Sequence, residues 1–188
     1  MACELYIKNM VCGRCLKSVD AILRSAGLHP LSLKLGYAVT EENLDAGQKQ
    51  QLCHVLESAG FELLNDKKEQ LVERIKIEVL AYVRRNCKYS GKKLSDVLAS
   101  RLHTDYSTLS KTFSSSEGVT IEHFYIAQRV EMAKELLSYG ELSLAEIAWK
   151  LGYSSAAYLS LQFKKITGET PTSFKGSNCA RHPLDKIL

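Results

Sequence analysis

Apolar and polar positions fall into two regimes along this chain. Glu4–Met10 alternates and is rich in strand formers. Leu16, Val19, Ile22 and Leu23 then share one helical face, closed by Gly27. Pro30–Leu35 and Tyr37–Thr40 read as two strands turning at Gly36, Gln48–Ser58 as a helix with Leu52, Val55 and Leu56 inward, and Phe61–Leu64 as a closing strand. This order, β-α-β-β-α-β, predicts an α+β ferredoxin-like domain over residues 1–66, with two helices on one face of a four-stranded antiparallel sheet. After the polar run Asn65–Lys68, the period changes. Leu71, Ile75, Val79 and Val83 predict a helix over Lys68–Arg85, with 67–92 as connecting helix and loop. Further helices are expected at Leu94–Leu102, Asp105–Ser115, Ile121–Ser138, Leu144–Leu151 and Ser155–Ile166, giving an all-α domain over 93–175 and a tail over 176–188. Phe124, Ile126, Val130, Ala133 and Leu137 mark the inward side of the third of these helices.

Within the helical half one pattern occurs twice. Leu109–Thr120 reads LSKTFSSSEGVT and Leu159–Thr170 reads LSLQFKKITGET, both L-S-x-x-F-x-x-x-x-G-x-T, each preceded by A-x-x-L (Ala99 to Leu102, Ala148 to Leu151). The duplication predicts two copies of a short helix, a turn and a second helix, which is the tandem helix-turn-helix layout used to read DNA. The intervening helix, at about 1.5 Å per residue, spans roughly 27 Å, near the roughly 34 Å turn of B-DNA. Two second helices could then enter successive major grooves. The same spacing also fits a plain all-α bundle that docks a protein partner.

Charge sharpens this choice only slightly. The net charge is +4, but residues 1–66 carry 6 Lys/Arg against 8 Asp/Glu, and residues 67–188 carry 19 against 13. The repeat therefore lies in the basic half, as phosphate contact requires. No run reaches the roughly 18 apolar residues of a membrane span, and no cationic, apolar leader opens the chain, so a cytoplasmic protein without membrane partners is expected. Hydrolase, phosphate-loop and metalloprotease motifs are missing, which argues against an enzyme.

The segments KLSDVLASRLHTDYSTLSKTF, QRVEMAKELL and LSLAEIAWKLGYSSAAYLSLQFKKITGETPTSFK resemble the DNA-binding domain of AraC-type transcriptional regulators over about Lys93–Lys175. Phe163 and Gly168–Pro171 fall on that family's structural signature. The resemblance implies base-facing positions at Tyr106, Ser107, Ser110 and Lys111 in the first unit, and at Ser155, Ala156, Ala157, Ser160 and Leu161 in the second. Lysine can donate to guanine, serine to several bases, and alanine or leucine can meet only a thymine methyl. Leu161 stands where an arginine often reads a base. Direct readout is therefore thin, and Lys164, Lys165, Lys150 and Arg129 are expected to hold phosphates.

Six cysteines are too sparse for a disulfide scaffold, which leaves Cys12 and Cys15 in Met10-Val-Cys-Gly-Arg-Cys15, at the first strand-to-helix junction. The helix dipole favours thiolates there, and paired sulfur suits Cu(I), whereas zinc prefers four ligands. Residues 4–64 resemble the heavy-metal-associated domain of copper chaperones and metal-pumping ATPases. That resemblance implies Cys12 and Cys15 as ligands for Cu(I) or another soft metal ion, Met10 as packing, and Phe61 near the metal. Asn9 replaces a glycine and Val11 a threonine of that pattern. A thiol redox sensor, or a metal-free dimerisation or partner surface, remain alternatives for the pair. Cys3 and Cys53 are expected outside the site, Cys53 as a small core residue, and Cys87, Cys179 and His182 as incidental. Trp149 is expected as packing or a backbone-facing ring.

Together these readings describe a sequence-specific transcriptional regulator that binds double-stranded promoter DNA. It would respond to Cu(I) or another soft metal through its N-terminal half, coupled by the Lys68–Arg85 helix. Contact with the transcription machinery and dimerisation through the N-terminal domain are further expectations. The alternative is a metal-trafficking protein whose helical half docks a partner.

Overall fold

A computed structural model of the chain describes residues 3–10, 13–84 and 92–176. The chain divides into two compact units, Met1–Ile77 and Glu78–Leu188, and the division falls inside a helix.

The first unit comprises strand β1 (Cys3–Lys8), helix α1 (Gly13–Ser25), strands β2 (Pro30–Lys34) and β3 (Tyr37–Thr40), helix α2 (Ala46–Ser58), strand β4 (Glu62–Leu64) and the opening of helix α3 (Lys67–Arg84). The strands form one antiparallel sheet in the order β2-β3-β1-β4. Because side chains alternate along a strand, Leu5 and Ile7 share a face. They pack with Ala38 and Leu63, with Val19 and Leu23 of α1, and with Leu52 and Leu56 of α2. Tyr6, at the intervening position, lies opposite Tyr37 with ring centroids 5.2 Å apart and donates to Glu4 Oε2 at 3.1 Å. Burial, reinforced by Glu4, pushes the Tyr37 phenol up to about 12. The β2–β3 turn requires glycine at position 36, where φ is +76° and a Cβ would stand 2.5 Å from Cδ1 of Ile77 in α3. Asp45 and Gln48 form a reciprocal capping box that starts α2, and Asp66 accepts from the backbone of Lys68 and Glu69 to start α3.

The second unit holds the end of α3, α4 (Leu94–Leu102), α5 (Tyr106–Glu117), α6 (Ile121–Tyr139), α7 (Leu144–Lys150), α8 (Ala156–Thr167) and α9 (Pro171–Gly176). Glu78 of α3 pairs with Arg101 of α4 at 2.7 Å. Element edges differ from the periodicity reading by one or two residues, and α9 is an addition to it. Pro171 begins that helix at its first position, where a missing N–H is tolerated, and Thr170 Oγ1 accepts from the Ser173 backbone at 3.2 Å.

Helix α6 departs most from expectation. It packs against α5, α7, α8 and α9, so it is buried nearly all round. Gln128, Arg129, Glu131 and Lys134 lie inside beside Phe124, Val130, Ala133 and Leu137, whereas Ile126 is only half-buried. Glu131 and Lys134 are paired in this interior. Arg129 was expected to hold a phosphate and is instead a core residue, 8% exposed, with its guanidinium carbon 3.6 Å from the ring centroid of Tyr153 and 5.1 Å from that of Tyr125. Its Nε and Nη2 have no hydrogen-bond partner among the described residues, so the ring faces supply its electrostatic compensation. Burial raises the Tyr153 phenol, and the Arg129 charge pulls it partly back. Among the described residues no helix is long and apolar enough to cross a membrane.

Candidate nucleic-acid interface

The two copies of the repeated pattern fold alike, position by position. Leu109 and Phe113 in α5, and Leu159 and Phe163 in α8, sit four residues apart on one helical face and are fully buried. Phe113 meets Phe124, and Phe163 meets Phe174, each pair with centroids 5.6 Å apart. Asp105 and Ser155 cap the two helices by accepting from the backbone N–H groups of Thr108 and Tyr158. Gly118 and Gly168 end them in the left-handed conformation, at φ 72° and 85°, which glycine adopts without a Cβ clash. Thr120 then caps α6 and Thr170 caps α9. Leucine, phenylalanine, glycine and threonine of the pattern are thus its frame.

What remains points outward, and it differs between the copies. On α5, Ser107 and Lys111 are exposed, while Tyr106 and Ser110 are half-buried. Ser107 Oγ donates to Asp105 Oδ1 at 2.5 Å, and this bond, with those from Thr108, holds the Asp105 carboxyl down at about 2. On α8, Ala157, Leu161, Lys164 and Lys165 are exposed, and Leu161 is 67% so. Ser155 is exposed but engaged as the cap, Ala156 packs partly into the core, and half-buried Ser160 donates from Oγ to Ala156 O at 2.9 Å. Gln162 donates from Nε2 to the Tyr158 hydroxyl at 2.9 Å. Tyr158, 44% exposed, was not singled out from sequence, although its place off the Leu159–Phe163 face was a signal for it. Trp149 on α7 is 56% exposed rather than packed away, and Lys150 beside it is exposed. The α8 helix carries two lysines in its last turn and no carboxylate. Between the units, α6 has 19 residues, or roughly 28 Å at the usual rise.

In the first unit, Val11 and Cys12 lie outside the described residues, as do Cys87, Cys179 and His182. Cys15 lies in the first turn of α1, half-buried against a core that includes Met10 and Phe61, both buried. Asn9 takes φ 71°, a conformation asparagine tolerates better than most residues, and its Nδ2 donates to Gly60 O at 3.1 Å. Cys3 and Cys53 are half-buried against the same core. Among the described residues no group of three or more His, Cys, Asp or Glu is gathered for a metal.

Residues 98–177 match the family model described as Helix-turn-helix domain. An uncharacterized HTH-type transcriptional regulator from Staphylococcus aureus is 42% identical over 74 residues, which are 39% of this chain and 10% of that protein. A second such regulator, from Bacillus subtilis (strain 168), is 31% identical over 80 residues, 43% of this chain and 10% of that one. The chain thus spans about a tenth of the length of these curated relatives. Among solved structures, the C-terminal domain of AraT, a response regulator from Geobacillus stearothermophilus, superposes with TM-score 0.51 at 26% identity, over 62% of this chain and 96% of that chain.

Proposed function

We propose that this chain, whose helical unit carries an AraC-type helix-turn-helix domain, is a transcriptional regulator that binds promoter DNA through two reading helices, α5 and α8. The observation that carries this reading is the repeated frame. Each copy fixes a capped helix by inward leucine and phenylalanine and leaves Ser107 and Lys111, or Ala157, Leu161, Lys164 and Lys165, facing out. Lys164 and Lys165 suit phosphates, while Ser107 and Lys111 suit base edges. The reading is one of binding and not of catalysis, and the matched relatives are regulators. Selection of bound duplexes from a random pool tests it. Enrichment of a site with two half-sites on one face of the duplex supports it. No binding even to random duplex at low salt favours a helical half that docks a protein.

The first unit carries a second proposal, that it is a ferredoxin-like module binding Cu(I) or another soft ion through Cys12 and Cys15. Its strand order supports the fold, and buried Met10 leaves sulfur only from the cysteines at this junction. A pair of thiolates suits an ion content with two ligands, whereas zinc prefers four. The ion would supply charge and a link between two thiolates. For it to regulate, its affinity must differ between DNA-competent and DNA-incompetent states, with α3 as the covalent path between the units. DNA affinity measured anaerobically with and without Cu(I), using Cys12→Ser/Cys15→Ser as control, tests this. Equal affinities throughout sink the sensing role and leave DNA binding standing.

A further inference from the structure

The two reading helices share a frame, yet α8 offers almost no polar group to a base edge. Its serine hydroxyls are engaged within the helix, Ser155 as the cap on the Tyr158 backbone and Ser160 on Ala156 O, and the Gln162 amide bonds Tyr158. The exposed side chains between the cap and the last turn are Ala157, Tyr158 and Leu161, and the two aliphatic ones carry no polar atom. Ala157 and Leu161 are four residues apart, so they form one outward stripe, and Leu161 is the most exposed large apolar side chain among the described residues. The same stripe continues into Lys164 and Lys165, one turn further along, on a helix without acidic residues. An apolar strip flanked by two cations fits a surface that is methyl-bearing and lined with anions. The major groove over thymine is such a surface, since the C5 methyl is its one apolar feature and phosphates border it.

We infer that α8 recognises its half-site through thymine methyl groups, with Leu161 as the specificity-determining residue, Ala157 allowing close approach, and Lys164 and Lys165 anchoring the backbone. This inference rests on the DNA-binding reading and deepens it. By contrast α5, with exposed Ser107 and Lys111, has the means for hydrogen-bonded readout. The second half-site should therefore tolerate changes in hydrogen-bonding pattern that preserve a methyl at C5, 5-methylcytosine included.

Deoxyuridine in place of thymidine removes the methyl and nothing else from the groove, which makes it the probe. The full chain is first used to select duplexes from a random pool, and each thymidine of the selected site is then replaced singly by deoxyuridine. One or two positions in one half-site should each lose about fourfold in affinity, the worth of one buried methyl group. Leu161→Ala should bind more weakly and become indifferent to uracil at those positions. Because Leu161 is exposed, this variant should keep its fold, which its unchanged unfolding curve would show. Wild-type indifference to every uracil, or a uracil penalty that survives in Leu161→Ala, overturns the inference while DNA binding stands. Failure to enrich any duplex overturns the DNA reading and this inference with it. Loss of an acidic protein ligand in Leu161→Ala, together with uracil indifference, would reassign the stripe to a protein partner.

Discussion

Helices α5 and α8 have the same length, the same kind of cap at each end, and the same buried leucine and phenylalanine, yet one turns Ser107 and Lys111 outward and the other Ala157 and Leu161. Constraint on the fold therefore sits at a few inward and terminal positions. The outward positions carry almost no folding constraint and hold the difference between the copies. The largest effects should accordingly come from the shared frame. Phe113→Ala and Phe163→Ala each empty a fully buried aromatic site and should destabilise the helical unit by about 3–5 kcal/mol, by similar amounts in both copies. Urea unfolding followed through Trp149, the one tryptophan, measures this, and a large inequality would break the equivalence of the frames.

The outward faces should separate next. Lys111→Ala is expected to change base preference in one half-site. Lys164→Ala should weaken all sequences alike and reduce the slope of log affinity against log salt by about one. Selection and salt titration distinguish the two, and the reverse pattern would break the proposed division of labour.

The caps give a smaller contrast, visible in pH. Ser155→Ala should cost about 1 kcal/mol at any pH, because a hydroxyl cap does not titrate in the acid range. Asp105 behaves differently. Its carboxyl is held at about 2 in the fold against an ordinary 3.8, so its contribution is full above the ordinary value and is lost as pH falls toward about 2. Acid unfolding of Asp105→Ala should therefore show a shallower loss of stability across that window, whereas Ser155→Ala should retain the wild-type slope. Smallest of all, Leu161→Ala should shift stability by less than about 0.5 kcal/mol.

The repeated frame was legible in the sequence because every element of it is local. A cap, two apolar residues four apart, a glycine and a threonine are enough to fix one helix and begin the next. Arg129 was misread because its environment is not local. An arginine beside Val130 looks like a surface charge until Tyr153 and Tyr125 are known to bracket it. The helical period also hid how deeply α6 is enclosed, since periodicity reports which face is apolar and not how many neighbours surround it. Asn9 was visible as a departure from glycine. Its left-handed backbone and its bond to Gly60, 51 residues away, could not be read without the fold. On α8, the resemblance placed Leu161 facing out, but it did not reveal the engagement of Ser155, Ser160 and Gln162 within the helix.

That engagement has an evolutionary consequence. A helix whose serines serve its own backbone, and whose hold on the core is a leucine and a phenylalanine, can have its outer residues rewritten by drift without first being rescued by compensating changes. The two copies can then diverge in taste while remaining interchangeable as parts. Under the proposed DNA-binding role, an operator can change one half at a time, and the protein can follow it by single substitutions at positions such as 107, 111, 157 and 161.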